Sequence, residues 1–119
     1  MTLNIAVNKN FEILRETQDW VAVYKPPRLL VHKSRLFQEE ANCRDLVQEK
    51  VGMRLRPVHR LDRPTSGVLL FAKSRESAGR LSKLFVGRLI RKTYYAVVRG
   101  HLPGAGMIEK PLGRVPQKA

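Results

Sequence analysis

Carboxylates are scarce in this chain. Ten Asp and Glu stand against 23 Lys and Arg, leaving a net charge of +13 over 119 residues. Such an excess repels itself in a compact state and favours a polyanion partner, nucleic acid first among them. An anionic membrane surface would call for a helix with a broad apolar face opposite a basic one, and none stands out. Cysteine is nearly absent. Cys43 is alone, which rules out an intrachain disulfide and fits a reducing compartment. The three histidines, His32, His59 and His101, share no close metal-ligand spacing with each other or with Cys43, so no metal site is expected. Long apolar runs are missing too. The longest end at Tyr24 and Ala72 and fall well short of a membrane span. The start, Met1 to Asn8, lacks the charged-then-apolar layout of a signal peptide. A cytoplasmic setting is the expectation. What is present in ordinary measure is apolar content, 43%, enough for a folded domain. The length fits one small domain over residues 1–119.

Two short strands are expected at Phe11 to Arg15 and Trp20 to Tyr24, the second ended by Pro26-Pro27, which remove two backbone donors. Asn42 suits a helix N-cap, with Asp45 three residues on. Leu46, Val47 and Val51 follow on one helix face, and Gly52 suits the stop. Val68 to Ala72 reads as a buried strand. Ser74 caps a second helix with Ala78, Leu81, Leu84 and Phe85 inside, Arg75, Arg80 and Lys83 outside, and Gly87 at its end. Thr93 to Val98 alternates as a strand, with Tyr94, Ala96 and Val98 on one face. The basic, Pro/Gly-containing end from Lys110 onward is expected to fray. The sum is an α+β fold, a mainly antiparallel mixed sheet with two flanking helices.

The chemistry concentrates in His59-Arg60-Leu61-Asp62-Arg63-Pro64-Thr65-Ser66-Gly67. One carboxylate, Asp62, lies among cations just before an apolar strand. Nearby positive charge from Arg60 and Arg63 is expected to favour its ionised form. An ionised carboxylate at such a place can act as base or nucleophile. The alternative is a surface turn in which Asp62 only offsets its neighbours. A kinase catalytic loop is excluded. Gly67 stands where a kinase needs Asn, and no Gly-rich phosphate loop precedes.

These nine residues resemble the signature of the RluA-type pseudouridine synthases, His-Arg-Leu-Asp followed by Thr-Ser-Gly. Within that branch the chain looks most like the tRNA pseudouridine synthase C group. Lys25-Pro26-Pro27-Arg28-Leu29-Leu30-Val31-His32 resembles the family's Lys-Pro-x-Gly-x-x-Val-His motif. Lys92-Thr93-Tyr94-Tyr95-Ala96-Val97-Val98-Arg99-Gly100 resembles its Lys-x-Tyr-x-Ala-x-Val segment, and Ile108 to Gly113 the strand and turn after it. The resemblance runs from about Phe11 to Arg114. Two departures stand out. Arg28 occupies a position usually held by Gly, and would be strained there if the turn needs positive φ. The family's later Thr-Gly-Arg-x-His-Gln-Leu-Arg motif does not occur, so the chain resembles the first half of a catalytic domain.

The resemblance implies an enzyme that isomerises uridine in tRNA or ribosomal RNA to pseudouridine, without cofactor or metal. It implies Asp62 as the catalytic group, as nucleophile at C1′ or base at C2′. Arg60 would occupy the space the extruded base leaves, or else pair with phosphate or with Asp62. Tyr94 would stack on the target base, unless it is a core strand residue. His59 and Thr65 would line the substrate site, with Thr65, Ser66 and Gly67 shaping the turn that presents Asp62. Lys25, His32, Lys33 and Arg35, and separately Arg88, Arg91 and Lys92, are candidate phosphate contacts. The competing reading is a catalytically incomplete RNA-binding fragment.

Overall fold

The computed structural model describes residues 7–113. Of the expectations above, the start of the chain through residue 6, the far end of the fraying segment and Arg114 lie outside the described residues. The elements run β1 (Glu12–Glu16), β2 (Trp20–Lys25), α1 (Cys43–Val51), β3 (Arg56–Pro57), β4 (Gly67–Ala72) and α2 (Arg75–Val86). One four-stranded sheet has the order β1-β2-β4-β3, and every paired neighbour is antiparallel. The α+β expectation therefore holds. β2 and β4 pair along their full lengths, Trp20 opposite Ala72 through Lys25 opposite Gly67.

Alternation decides which side chains enter the core. Val21 and Val23 of β2 and Leu69 and Phe71 of β4 are fully buried. They join Leu29, Val31, Leu55, Leu61 and two residues of α1, Cys43 and Val47, in one cluster. Side chains at Val68 and Leu70 point to the opposite face, where Leu70 and Phe85 of α2 line a common cavity.

Both helices start where the sequence says. Asn42 Oδ1 accepts from the Asp45 amide, 2.9 Å. The two amides before it donate to Leu30 and Val31 carbonyls, Cys43 at 2.7 Å and Arg44 at 2.9 Å. All three first-turn donors of α1 are thus satisfied, and the helix is tied to the segment after β2. Ser74 and Ser77 form a reciprocal capping box at α2. The stops are less uniform. Gly52 takes the left-handed conformation, φ 73°. Gly87 does not, at φ −76°; the left-handed residue is Arg88, φ 55°. The Leu89 amide reaches Leu84 O and the Arg88 amide reaches Phe85 O, which is a Schellman ending displaced by one residue. Glycine is favoured at position 87 for a different reason, because a Cβ there would sit 3.1 Å from Lys83 O, a tight contact.

One expected element is missing. Residues 93–98 form no strand. Tyr95 is fully exposed and Val98 is 56% exposed. The alternation is present, but a strand also needs a ladder partner, and the segment pairs with no strand among the described residues. Its aromatic and apolar side chains therefore stand largely exposed.

Arg28 also adopts a left-handed conformation, φ 70°, so the turn does demand what Gly usually supplies. A left-handed conformation costs an L-residue about 1–2 kcal/mol, and the added chain entropy of Gly takes back about 0.5–1. Arg28→Gly and Arg88→Gly are each expected to raise stability by about 0.5–1 kcal/mol, read as a higher urea midpoint at unchanged slope.

Candidate active site

The site is built on the connection between β3 and β4. Within it the Asp62 carbonyl accepts from the Thr65 amide, 2.9 Å, closing a tight turn. Gly67 ends the connection at φ 140°, a conformation essentially restricted to glycine. Leu61 is buried and belongs to the core cluster. Its neighbour Asp62 is exposed. A buried leucine beside an exposed carboxylate fixes the loop's height on the sheet.

Lys25 fastens this loop from below. It shares the inward face of β2 with Val21 and Val23 and is itself 0% exposed. Its Nζ donates to Pro26 O at 3.1 Å, Leu29 O at 2.7 Å and Arg63 O at 3.1 Å. Burial holds the ammonium's pKa below its ordinary value, with Cys43 opposing and Arg63 adding to the shift. Three carbonyl acceptors favour the charged form all the same. Lys25 is therefore a clamp and is withdrawn as a phosphate contact, because every donor of the ammonium is used inside. Cys43, pushed up to about 12 by burial, is a thiol at neutral pH and no nucleophile.

The turn after β2 and the Asp62 loop also bond to each other directly. The Arg28 amide donates to Arg63 O at 2.7 Å, and Arg63 Nε donates back to Arg28 O at 3.1 Å. The same guanidinium pairs with Glu40 and lies over the Phe37 ring, 5.2 Å from its centroid. Arg63 serves Glu40 and the backbone, and neither Arg63 nor Arg60 forms an ion pair with Asp62 among the described residues.

The five candidate site residues fall into two groups. Asp62 and Arg60 line a cleft of about 190 Å³, together with His32 and Ser34. His59, Thr65 and Tyr94 line a larger cavity of about 580 Å³. Leu61 borders both. The structure thus does not bring Tyr94 into the cleft of Asp62. Tyr94 is 59% exposed, which overturns the core-residue alternative for it. His59 Nε2 accepts from the Leu70 amide at 2.9 Å, and its ring stacks on Phe85. No cluster of side chains suited to a metal ion occurs among the described residues, and no described helix is long and apolar enough to cross a membrane.

Comparison with known proteins identifies the family. The family model for RNA pseudouridylate synthase matches residues 19–119. The chain belongs to the RNA pseudouridylate synthase family. The tRNA pseudouridine synthase C of Pasteurella multocida is 45% identical over 102 residues, which cover 85% of this chain and 42% of that protein. That of Vibrio cholerae is 40% identical over the same length. Among solved structures, the human RNA pseudouridylate synthase domain containing 4 is similar with a TM-score of 0.53 and 27% identity. It covers 66% of this chain and 30% of that one. The chain therefore spans about two fifths of the curated synthases it matches.

For a member of the synthase family, the residues missed by sequence reading are Lys25 as a clamp and the Arg63–Glu40–Phe37 cluster. The first had a signal, since positions 21, 23 and 25 of one strand share a face. The second had none, because Glu40 and Arg63 meet only through the fold. Lys25→Met is expected to leave two inward carbonyls, Pro26 O and Leu29 O, without a donor, while Arg63 O keeps the Arg28 amide, and to cost about 2–4 kcal/mol, measured by urea unfolding. Lys25→Arg is expected to recover little, since the carbonyls converge on a single ammonium and a planar guanidinium cannot meet all three.

Proposed function

We propose that this chain supplies the aspartate-bearing part of an RNA pseudouridine synthase, acting on uridine in tRNA, with Asp62 as its catalytic group. The observation that carries the reading is the state of Asp62. It is the exposed carboxylate of a pinned loop, opens onto a cleft beside Arg60, and makes no ion pair among the described residues. The reaction breaks the N1–C1′ bond of uridine, turns the base, and joins C5 to C1′. It is an isomerisation with no redox step and no phosphate donor. Its chief requirement is one ionised group held near the sugar. Asp62 meets this as nucleophile at C1′ or as base at C2′.

A stacked uridine must leave its helix before a carboxylate can reach the sugar, at a cost of a few kcal/mol. The exposed Arg60 at the cleft fits a role in that step, by filling the vacated space or holding a phosphate. Tyr94 offers an exposed ring on the neighbouring cavity, suited to stacking on a base. Thr65 shapes the turn. The +13 charge supports binding to RNA phosphates, and a cytoplasmic setting fits a tRNA substrate. The reading as tRNA modification rests on the relatives named synthase C.

A second reading has an observation of its own. Because the chain spans about two fifths of those relatives, it can be an RNA-binding part that acquires activity only with further sequence. Tritium release from bulk tRNA labelled at uridine C5 separates the two. The parent chain is expected to release tritium, and Asp62→Ala to fall to background while its RNA affinity is kept. Release unchanged in the variant sinks the role given to Asp62. No release from the parent, with affinity falling steeply between about 50 and 200 mM salt, selects the second reading.

A further inference from the structure

β3 is only two residues long, and it covers β4 at Phe71 and Ala72. Beyond it this edge of β4 has no strand partner among the described residues, yet the Leu70 amide is satisfied. Its acceptor is the imidazole of His59, Nε2 at 2.9 Å. A side chain here continues a ladder that the backbone has abandoned. The ring is held from its other side by Phe85 of α2, with centroids 4.4 Å apart and planes 19° apart. His59 stands three residues before Asp62, and Leu70 eight residues after it. One side chain therefore joins the two ends of the loop that carries the carboxylate, and joins both to α2.

We propose that His59 is a positioning residue for Asp62, acting as a neutral imidazole whose Nε2 lone pair holds the loop closed, and that acid opens this latch. The proposal rests on the reading of Asp62 as the reacting carboxylate, and it replaces direct substrate binding as the role of His59. An N–H donor requires an unprotonated acceptor, so the ring proton sits on Nδ1. Protonation would set two donors against each other across 2.9 Å. The surroundings resist it. Burial first, then the charge of Lys92, hold the His59 pKa below the usual histidine value. Arg91, Lys92, Tyr94 and Tyr95 are the charged or titratable groups that line the cavity with His59, and the lining from β4 and α2, Val68, Leu70 and Phe85, carries no charge. No carboxylate is there to welcome an imidazolium.

The sign follows by linkage. Because the folded pKa is depressed, the unfolded chain binds the proton more readily. The contribution of His59 is complete above the ordinary histidine pKa and is lost as pH falls through the folded value. Catalysis dependent on a closed loop would fail on the acid side in the same window, since a loop that samples more conformations holds its carboxylate in productive geometry for less of the time.

The test uses the whole chain and three readouts. Long-range ¹H–¹⁵N NMR at about pH 7.5 is expected to show His59 as the Nδ1–H tautomer. Amide exchange is expected to be at least about tenfold faster at both Leu70 and Thr65 in His59→Phe, which keeps a stacking ring but loses the acceptor. His59→Gln restores an acceptor that does not titrate, and is expected to recover both protections. In tritium release, His59→Phe is expected to lower kcat with KM for tRNA unchanged, and His59→Gln to recover kcat while losing the acid limb of the pH profile. An Nε2–H tautomer overturns the latch. Leu70 exchange altered without any change at Thr65 overturns the positioning of the Asp62 turn. If the parent chain releases no tritium, the functional reading fails by itself, and the NMR and exchange arms still decide whether His59 holds the loop.

Discussion

Lys25 carries a charge into the interior, and most of the site is arranged around that charge. An ammonium with no exposed surface is tolerated only where its donors are met. Here they are met by Pro26, Leu29 and Arg63 carbonyls. Two of these acceptors come from the turn after β2 and one from the Asp62 loop. Satisfying Lys25 therefore brings two segments, 38 positions apart, to one point. The left-handed Arg28 belongs to the same arrangement. Its conformation aims the Arg28 amide at Arg63 O, 2.7 Å away, so the local strain secures a second bond to the carbonyl that Lys25 already holds. The loop is fixed by its backbone, which leaves the Asp62 side chain uncommitted.

The geometry around Leu61 explains why the candidate residues divide into two groups. Leu61 enters the core, and its flanks face different ways. Asp62 and Arg60 open on one cleft, while His59 and Thr65 open on another with Tyr94. Tyr94 lies on a segment with strand alternation and no ladder. Its distance from the Asp62 cleft follows from an unpaired backbone rather than from the residue itself. The apolar side chains that follow, Val97, Leu102, Ile108 and Leu112, are largely exposed for the same reason.

Much of this was legible in the residues. Asn42, Gly52 and Ser74 marked helix ends through local hydrogen-bonding chemistry that needs no tertiary context. β2 and β4 showed in their apolar runs, and β1 within one residue of its expected bounds. Gly at the Arg28 position of the family flagged a left-handed turn, and the structure has one. The failures share a cause. The strand at 93–98, the pairing of Arg63 with Glu40 and the burial of Lys25's ammonium all depend on what lies across space. Alternation states which face a residue would take, but not whether a neighbour exists to complete the ladder. β3 escaped notice because two residues carry no period. His59 was assigned to substrate from its motif, whereas its Nε2 has a backbone partner supplied by the shortness of β3.

The scarcity of carboxylates then acquires a structural meaning. With +13 to balance, any acidic group near the loop is at risk of capture by a neighbouring cation, and a captured carboxylate attacks nothing. Arg60 shares the cleft with Asp62 without pairing with it among the described residues, and several other cations are directed elsewhere. Lys25 is saturated by carbonyls, Arg63 goes to Glu40 and to Arg28 O, and Lys33 and Arg44 face Asp45 at the head of α1. Glu40 matters most in this account. It draws Arg63 away from Asp62, one residue along the chain. A substitution that removed the Glu40 carboxylate would free the Arg63 guanidinium, one residue from Asp62, without touching Asp62 itself. For the role proposed for Asp62, the charge balance of the loop matters as well as the aspartate, since Glu40 holds Arg63 and Asp62 makes no ion pair among the described residues.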